Sequence, residues 1–530
     1  MTCSESGASH LLMAAAVRAA YARGEEDETL EPLVLVDAEG QPIGRFQDGD
    51  YVIFYNIRGE REVELTRSFV EEGFQEFPTA KDLAINFATM IQYDADLNVK
   101  VAFPPLGRID QTLSEVISDH GLRQVKITES EKAIHLGFFL NGKRNAPFPG
   151  EERIIVPSPR VMDYDQLPEM AIAQVSEAMV RRIGDPSYDV VIANFVNVDV
   201  LGHIENQEAI KRAVEIVDSH VGQVVEAAQK AKMTALITAD HGTVEKWLYP
   251  DGAIDTGHTD SPVPCILVCP EQSRLRNGGS LTDVAPTILQ LLGLPKPPAM
   301  TGQSLLDGSP TTPPANKRVL LLIVDGWGAR DETHGNLISQ AHTPVMDSLR
   351  REHPFTTLSA SGKAVGMPEG TVGNSEAGHL HLGAGRRIYS DRLRIEEAIE
   401  SGSFFENQAF LWAMRGAKSD GRRLHLLGIV SFYSSHGSVD HLLALLKLAK
   451  QEGLKQVYVH SMLGRRGEHP ESGARYVQTV EEAVEKLGLG KVVSVIGRFW
   501  ALDREENWDR IEKTYRWLVR GEGRAVKGTK

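Results

Sequence analysis

The chain has 530 residues and a formal charge of −15, with only three cysteines. That length allows two to four domains with sizeable cores, and the acidic balance argues against a non-specific nucleic-acid binder, which needs a basic face. Cys3, Cys265 and Cys269 are too few for a disulfide framework and fit a reducing cytoplasm, with Cys265 and Cys269 read as core packing in an apolar run. No run of about 18 apolar residues marks a membrane span.

Short apolar runs alternate with segments of helical period, which is an α/β pattern. Met1 to Ala20 carries Leu11, Leu12 and an alanine run without a basic start, and reads as a helix rather than a signal peptide. The run Asp50 to Asn56 reads as a strand leading to Arg58 and Arg61, and a break is expected near Pro104-Pro105-Leu-Gly107. Asp189 to Phe195 leads to Asn197, Asp199 and His203. Glu208 to Lys232 places Ile210, Ala213, Val214, Val217 and Val221 on one helical face, and Thr234 to Thr238 then leads to Asp240 and His241. A loop follows with Asp255-Thr-Gly-His258.

Leu306 to Lys317 is Pro-rich and reads as an exposed linker. Beyond it, Arg318 to Val324 leads to Asp325 and then Gly-Trp-Gly, and Gly366 to His379 carries Ser375 among glycines. Near the end, Leu424 to Val430 leads to His436, Gln456 to Val459 to His460 and Arg466, and Val492 to Ile496 to Arg498 and Arg504. The last ten residues lack the Gly-Lys-Ser/Thr of a phosphate loop and read as a disordered tail.

Ligands in open α/β sheets gather beyond the carboxyl ends of strands. An aspartate after a strand is commonly a helix N-cap, so no single one of these residues is specific. Together they are a constellation: three strands ending in Asp or Asp/His supply enough mixed oxygen and nitrogen ligands for two Mn, Zn or Mg ions. Ser375, in a glycine-rich turn, is either a plain turn residue or a nucleophile brought to an ion. The basic strand ends, in an acidic chain, suggest an anion pocket, because guanidinium binds carboxylate and phosphate in a fork.

The segments Ile323-Val-Asp325-Gly-Trp-Gly, Gly373-Asn-Ser375-Glu-Ala-Gly-His, Asn194 to His203, Thr238-Ala-Asp240-His241-Gly and Gly257-His258-Thr resemble the cofactor-independent phosphoglycerate mutases of the alkaline phosphatase superfamily. The resemblance implies two α/β domains, one an alkaline-phosphatase-like doubly wound sheet and the other a smaller acceptor-binding domain. It implies one Mn²⁺ on Asp199, His203 and His258 and another on Asp240, His241, Asp325 and Ser375, with Ser375 phosphorylated during turnover. Lys132 would neutralise charge on the transferring group; Arg58, Arg61, Arg498 and Arg504 would grip substrate; His436 and Arg466 would help hold the acceptor. The implied partner is a small phosphorylated hydroxy acid, phosphoglycerate, bound by a cytoplasmic monomer without nucleic acid or membrane.

The motif order differs from the family's, which begins with the Val-Asp-Gly-Trp-Gly strand. The expectation is a circular permutation: residues 106–388 form the phosphatase-like domain, with the 307–317 linker joining the family's usual ends, and residues 1–105 and 389–530 together form the acceptor domain. The acceptor segments also depart from the family. Ser431-Phe-Tyr-Ser-Ser-His436 stands for Ser-Asp-Gly-Gly-Val-His, and Gly464-Arg-Arg466-Gly-Glu-His-Pro470 for Asp-Gly-Arg-Asp-Thr-Pro-Pro, with Gly467 where an aspartate is usual. A related phosphoryl- or phosphonyl-transfer enzyme on another hydroxy acid, or a phosphatase, is therefore the alternative.

Overall fold

The computed structural model describes residues 11–161, 164–269, 273–307, 317–431, 436–464 and 472–527. The chain divides into two units, one of Met1–Pro105 with Arg394–Lys530, the other of Leu106–Leu393.

The first unit is built on an eight-stranded sheet. Its order is Arg524–Lys527, Leu33–Val36, Lys491–Gly497, Val457–Leu463, Leu424–Ile429, Tyr51–Phe54, Asn86–Ile91, Lys100–Phe103. Every pairing is parallel except that of Leu33–Val36 with Lys491–Gly497. The strands Tyr51–Phe54 and Leu424–Ile429 are buried along their length and largely apolar, as parallel strands covered on both faces must be. Gly488 and Gly521 take left-handed φ values of 61° and 67°, closing the helices Gly473–Leu487 and Trp508–Arg520, where a side chain would strain the turn.

Both outer stretches of the chain belong to this unit. The helix Leu12–Tyr21 has no capping side chain of its own. Glu481, in the helix Gly473–Leu487, accepts from Met13 N (2.8 Å) and Ala14 N (3.1 Å), satisfying orphan donors and meeting the positive end of the helix dipole. The tail expected to be disordered is instead ordered at Arg524–Lys527, which pairs in parallel with Leu33–Val36. A strand that exists because a distant edge offers it a ladder leaves little mark in its own composition.

A buried polar chain crosses this sheet. Asp50 Oδ2 lies 3.0 Å from His425 Nε2, His425 Nδ1 lies 3.0 Å from His460 Nε2, and His460 Nδ1 lies 2.7 Å from Ser494 Oγ. His460 was expected at a strand end within an anion pocket. The strand runs on to Leu463, so His460 sits mid-sheet, buried against Phe46 and Trp517.

The second unit has its own eight-stranded sheet, ordered Gly279–Ser280, Phe355–Ser359, Val263–Val268, Thr234–Thr238, Val319–Val324, Val190–Phe195, Gln124–Glu129, Glu151–Val156. Val263–Val268 runs antiparallel to both neighbours; the strands from Thr234–Thr238 onward are parallel. The helix Gln207–Lys230 is capped by Asn206 and buries the face read from its period. The strand Val319–Val324 follows the Pro-rich segment in sequence, yet sits between two strands that precede it. Residues 308–316 of the expected linker lie outside the described residues. Because these central strands are parallel, their carboxyl ends share one edge, and Asp325, Asp240, Asn197, Asp199 and Lys132 follow those ends. Among the described residues no helix is long and apolar enough to cross a membrane.

Candidate metal centre and basic cluster

At that edge Asp199, Asp240 and Asp325 are buried carboxylates, and Lys132 is a buried ammonium. Lys132 Nζ donates to Asp199 Oδ2 (2.6 Å), Asp325 Oδ1 (2.9 Å) and Ser375 Oγ (2.5 Å). Ser375 opens the helix Ser375–Ala384, which Asn374 caps, and its Oγ also lies 2.8 Å from His241 Nε2. Gly373 and Gly378 let this turn approach closely: a side-chain carbon at either would come within 2.7 Å of His241 or Asp240.

Three imidazoles point into the same place. His203 Nδ1 lies 2.8 Å from the Thr256 carbonyl, His258 Nδ1 3.1 Å from the Gly373 carbonyl, and His241 Nδ1 3.2 Å from the Gly242 carbonyl. A carbonyl only accepts, so each Nδ1 carries the proton and each Nε2 turns towards the carboxylates. The Nε2 atoms of His203 and His258 face one another at 3.1 Å, and both lie near Asp199 Oδ1, at 3.4 and 3.2 Å. Asp199, His241 and His258 have ligand atoms close enough to share one ion, and so have Asp240, His241 and Asp325.

The electrostatics fit cations. Burial pushes the carboxyls of Asp199 and Asp240 up, but Lys132 beside the first and His241 beside the second outweigh it and hold both far below the usual range. Burial likewise opposes charge on His241, yet Asp240, Asp325 and Asp199 raise it to about 10. Lys132 is raised well above its usual value against its own burial by Asp325, Asp199 and Asp240. Three buried carboxylates exceed one ammonium, and a buried charge needs compensation. The place thus calls for further positive charge at the imidazole Nε2 atoms, supplied by protons or by metal ions, and the oxygen/nitrogen donor set suits hard or borderline divalent ions.

The structure brings together the expected Asp199, His203 and His258, and the expected Asp240, His241, Asp325 and Ser375, with His241 also within reach of Asp199. Sequence reasoning did not single out Asn194 or His379. Asn194 Nδ2 donates to Asp325 Oδ2 (2.7 Å) and lies 2.9 Å from His379 Nε2, while His379 Nδ1 lies 2.9 Å from the Ser375 carbonyl. A signal existed: an asparagine inside a fully buried strand must have a partner, and His379 sits one helical turn from Ser375.

In the first unit the basic residues follow strand ends. Glu60 lies 3.4 Å from Arg58 Nη2 and accepts from Arg504 Nη1 at 2.8 Å, so two of the expected arginines meet on one carboxylate. Arg61 Nη1 donates to the Leu502 carbonyl (3.1 Å), and the buried Arg498 lies 3.4 Å from Glu28. His436 is buried, with Nδ1 3.0 Å from Glu62 Oε1. Arg466 and Gly467 lie outside the described residues.

Residues 4–296 match the model of the metalloenzyme superfamily, and residues 395–530 match the BPG-independent PGAM N-terminus. The chain belongs to the metalloenzyme superfamily. It is 44% identical over 292 residues to 2,3-bisphosphoglycerate-independent phosphoglycerate mutase 2 of Methanosarcina acetivorans, covering 55% of this chain and 56% of that protein. It is 44% identical over 291 residues to the 2,3-bisphosphoglycerate-independent phosphoglycerate mutase of Pseudomonas fluorescens, with 55% and 56% covered. The chain thus spans about half the length of the curated relatives it matches. Among solved structures it is similar to Leishmania mexicana phosphoglycerate mutase at low cobalt concentration, with a TM-score of 0.36 and 29% identity over 51% of this chain and 53% of that one.

Proposed function

We propose that the chain is a metal-dependent phosphoglycerate mutase, interconverting 2- and 3-phosphoglycerate through phosphorylation of Ser375. The observation that carries this is Ser375 Oγ, within 2.8 Å of both an ammonium and an imidazole at a cluster of buried carboxylates. A serine hydroxyl becomes a nucleophile when its charge is stabilised as the proton leaves. Lys132 does this directly, and its ammonium also meets the excess charge of an arriving phosphoryl group. Asp199, His203 and His258 hold one divalent ion, most suitably Mn²⁺, and Asp240, His241, Asp325 and Ser375 hold a second. Two such ions supply acidification of the hydroxyl and a clamp on phosphoryl oxygens. Asn194 and His379 keep Asp325 and the Ser375 turn in place.

Arg58, Arg61, Arg498 and Arg504 take the phosphate and carboxylate of the substrate, with His436 and Arg466 on the acceptor. Guanidiniums already paired with Glu60 and Glu28 are held in place by those carboxylates. The protein works as a monomer, and its chain order is that of a circularly permuted family member. A model describing the N-terminus of phosphoglycerate mutases matches residues 395–530, after the metalloenzyme match at 4–296, which supports that reading.

Product analysis with 3-phosphoglycerate and Mn²⁺ tests the proposal: 2-phosphoglycerate is expected. Release of inorganic phosphate alone would make the protein a phosphatase. The departures at Ser431 to His436 and at Gly467 favour a second reading, transfer to a different hydroxy acid. A panel of phosphorylated hydroxy acids decides it, since a better substrate than 3-phosphoglycerate would displace the mutase assignment.

A further inference from the structure

We propose that Glu62 is a positioning residue that holds the His436 ring with Nδ1 protonated, so that Nε2 is the nitrogen that accepts a hydrogen bond from a substrate hydroxyl. This rests on the reading of His436 as a substrate ligand.

Glu62 follows Arg61 directly and stands at the start of the helix Val63–Val70, yet its side chain does not cap that helix. The residue is fully buried. Its Oε1 accepts from Asn56 Nδ2 (2.7 Å) and lies 3.0 Å from His436 Nδ1, and its Oε2 accepts from Arg61 N (3.2 Å). Burying a carboxylate is costly unless hydrogen bonds or an opposite charge compensate it. Here two neutral donors and one imidazole fill that role. A carboxylate used this way fixes which ring nitrogen carries the proton and where the ring points.

The surroundings hold the pair rigid. Ile57 N donates to the His436 carbonyl (2.7 Å), so backbone and ring of His436 are gripped from the same segment. Asn56 Oδ1 accepts from Ile429 N (2.8 Å), tying that segment to the neighbouring strand. Tyr93 Oη lies 2.9 Å from both the Phe54 and the Asn56 carbonyls and donates its one proton between them. Since a carboxylate accepts only, Nδ1 is the donor, and in the neutral ring Nε2 is an acceptor. An acceptor suits a hydroxyl and not a phosphate or carboxylate, which the arginines take. The cluster therefore divides its work: guanidiniums read the charges of a hydroxy acid, and the Glu62–His436 pair reads its hydroxyl.

The test is a double-mutant cycle on kcat and KM together with the tautomer of His436. Removing the outer-shell partner of a metal-ligating histidine costs about 10–100-fold, and a substrate-binding histidine held the same way sets a comparable scale, so E62A should lose ~30-fold in kcat/KM for 3-phosphoglycerate. Adding E62A to H436A should then cost less than about threefold more, because Glu62 acts through His436. E62Q keeps an acceptor oxygen for Nδ1–H and should retain activity within about fivefold of the natural protein; it also serves should E62A fold poorly. Long-range ¹H–¹⁵N spectra of the ligand-free protein, assigned with H436A, should show His436 protonated at Nδ1, and E62A should lose that preference. Multiplying losses in the cycle, or an unchanged tautomer in E62A, would overturn the assignment. Wild-type turnover of 3-phosphoglycerate judges the mutase reading separately, and the tautomer measurement judges Glu62 whichever way that falls.

Discussion

Lys132 Nζ lies 2.5 Å from Ser375 Oγ and is held there by Asp199 and Asp325. A strand end in one part of the sheet thus delivers a cation to a hydroxyl at the start of a distant helix. Replacing Lys132 by Met should lower kcat by about 10²–10³, the usual cost of losing one preorganised charge-stabilising donor. It also leaves two buried carboxylates less compensated, so the metal-free protein should lose more thermal stability than the metal-loaded one. Kinetics and melting curves with and without Mn²⁺ check both; an unchanged kcat would remove Lys132 from the chemistry.

Metal binding should fall with pH. His203, His241 and His258 have Nδ1 tied to carbonyls, so a metal ion held as proposed would compete with a proton for their three Nε2 atoms. Chelation should abolish activity and Mn²⁺ restore it, and titration calorimetry should show weaker binding at pH 5.5 than at pH 7.5. Full activity in protein stripped of all metal would refute this.

The buried Asp50–His425–His460–Ser494 chain makes the first unit acid-sensitive. Burial pushes His425 down, and burial with its neighbours His425 and Arg423 pushes His460 far down. Both rings are neutral when folded and take up protons on unfolding below an unfolded value of about 6.5, so stability is full above that pH and is lost as pH falls below it. Each histidine adds at most about 1.4 kcal/mol per pH unit to the slope in that window. Asp50, held at about 2 against its burial by His425 and Arg423, keeps its contribution above about 3.9 and loses it as pH falls through its folded value. Hydrogen exchange of the Leu424–Ile429 amides should accelerate from pH 7 to pH 5 after correction for intrinsic rates, less so in His460→Gln. Equal acceleration in both proteins would contradict the assignment.

Much of the metal centre was legible because its residues follow apolar runs directly. Val319–Val324, Thr234–Thr238 and Val190–Phe195 are recognisable strands, and Asp325, Asp240 and Asp199 come within a few residues of their ends. Long-range pairing was not legible. The Arg524–Lys527 strand depends on the edge of Leu33–Val36, and the interior place of His460 depends on neighbouring strands that cover it. Partners such as Asn194 and Glu62 were missed for a related reason: burial of the Asn194 strand signals that it needs a partner, but which residue is met is set by contacts across 131 and 374 positions, which leave no local pattern.

The permutation reading predicts that the chain tolerates reopening. The helix Leu12–Tyr21 is capped by Glu481, and Arg524–Lys527 pairs with Leu33–Val36, so both outer stretches belong to one unit. Joining Lys530 to Met1 through a flexible linker and opening the chain within 307–316 should give a folded enzyme with kcat within about tenfold of the original, because a Pro-rich, polar stretch of sequence has the composition of a linker, where chain breaks are tolerated. An insoluble or inactive product from several linker lengths would count against it.

The most direct measurement is of phosphate on Ser375. The protein loaded with Mn²⁺, mixed briefly with 3-phosphoglycerate and quenched in acid, should yield a phosphorylated peptide containing Ser375 by mass spectrometry. Ser375→Ala should bind metal, keep its fold and lose about 10³-fold or more in kcat, with no phosphorylated peptide. Turnover by Ser375→Ala at the natural rate, or phosphate transfer to another side chain, would contradict the account.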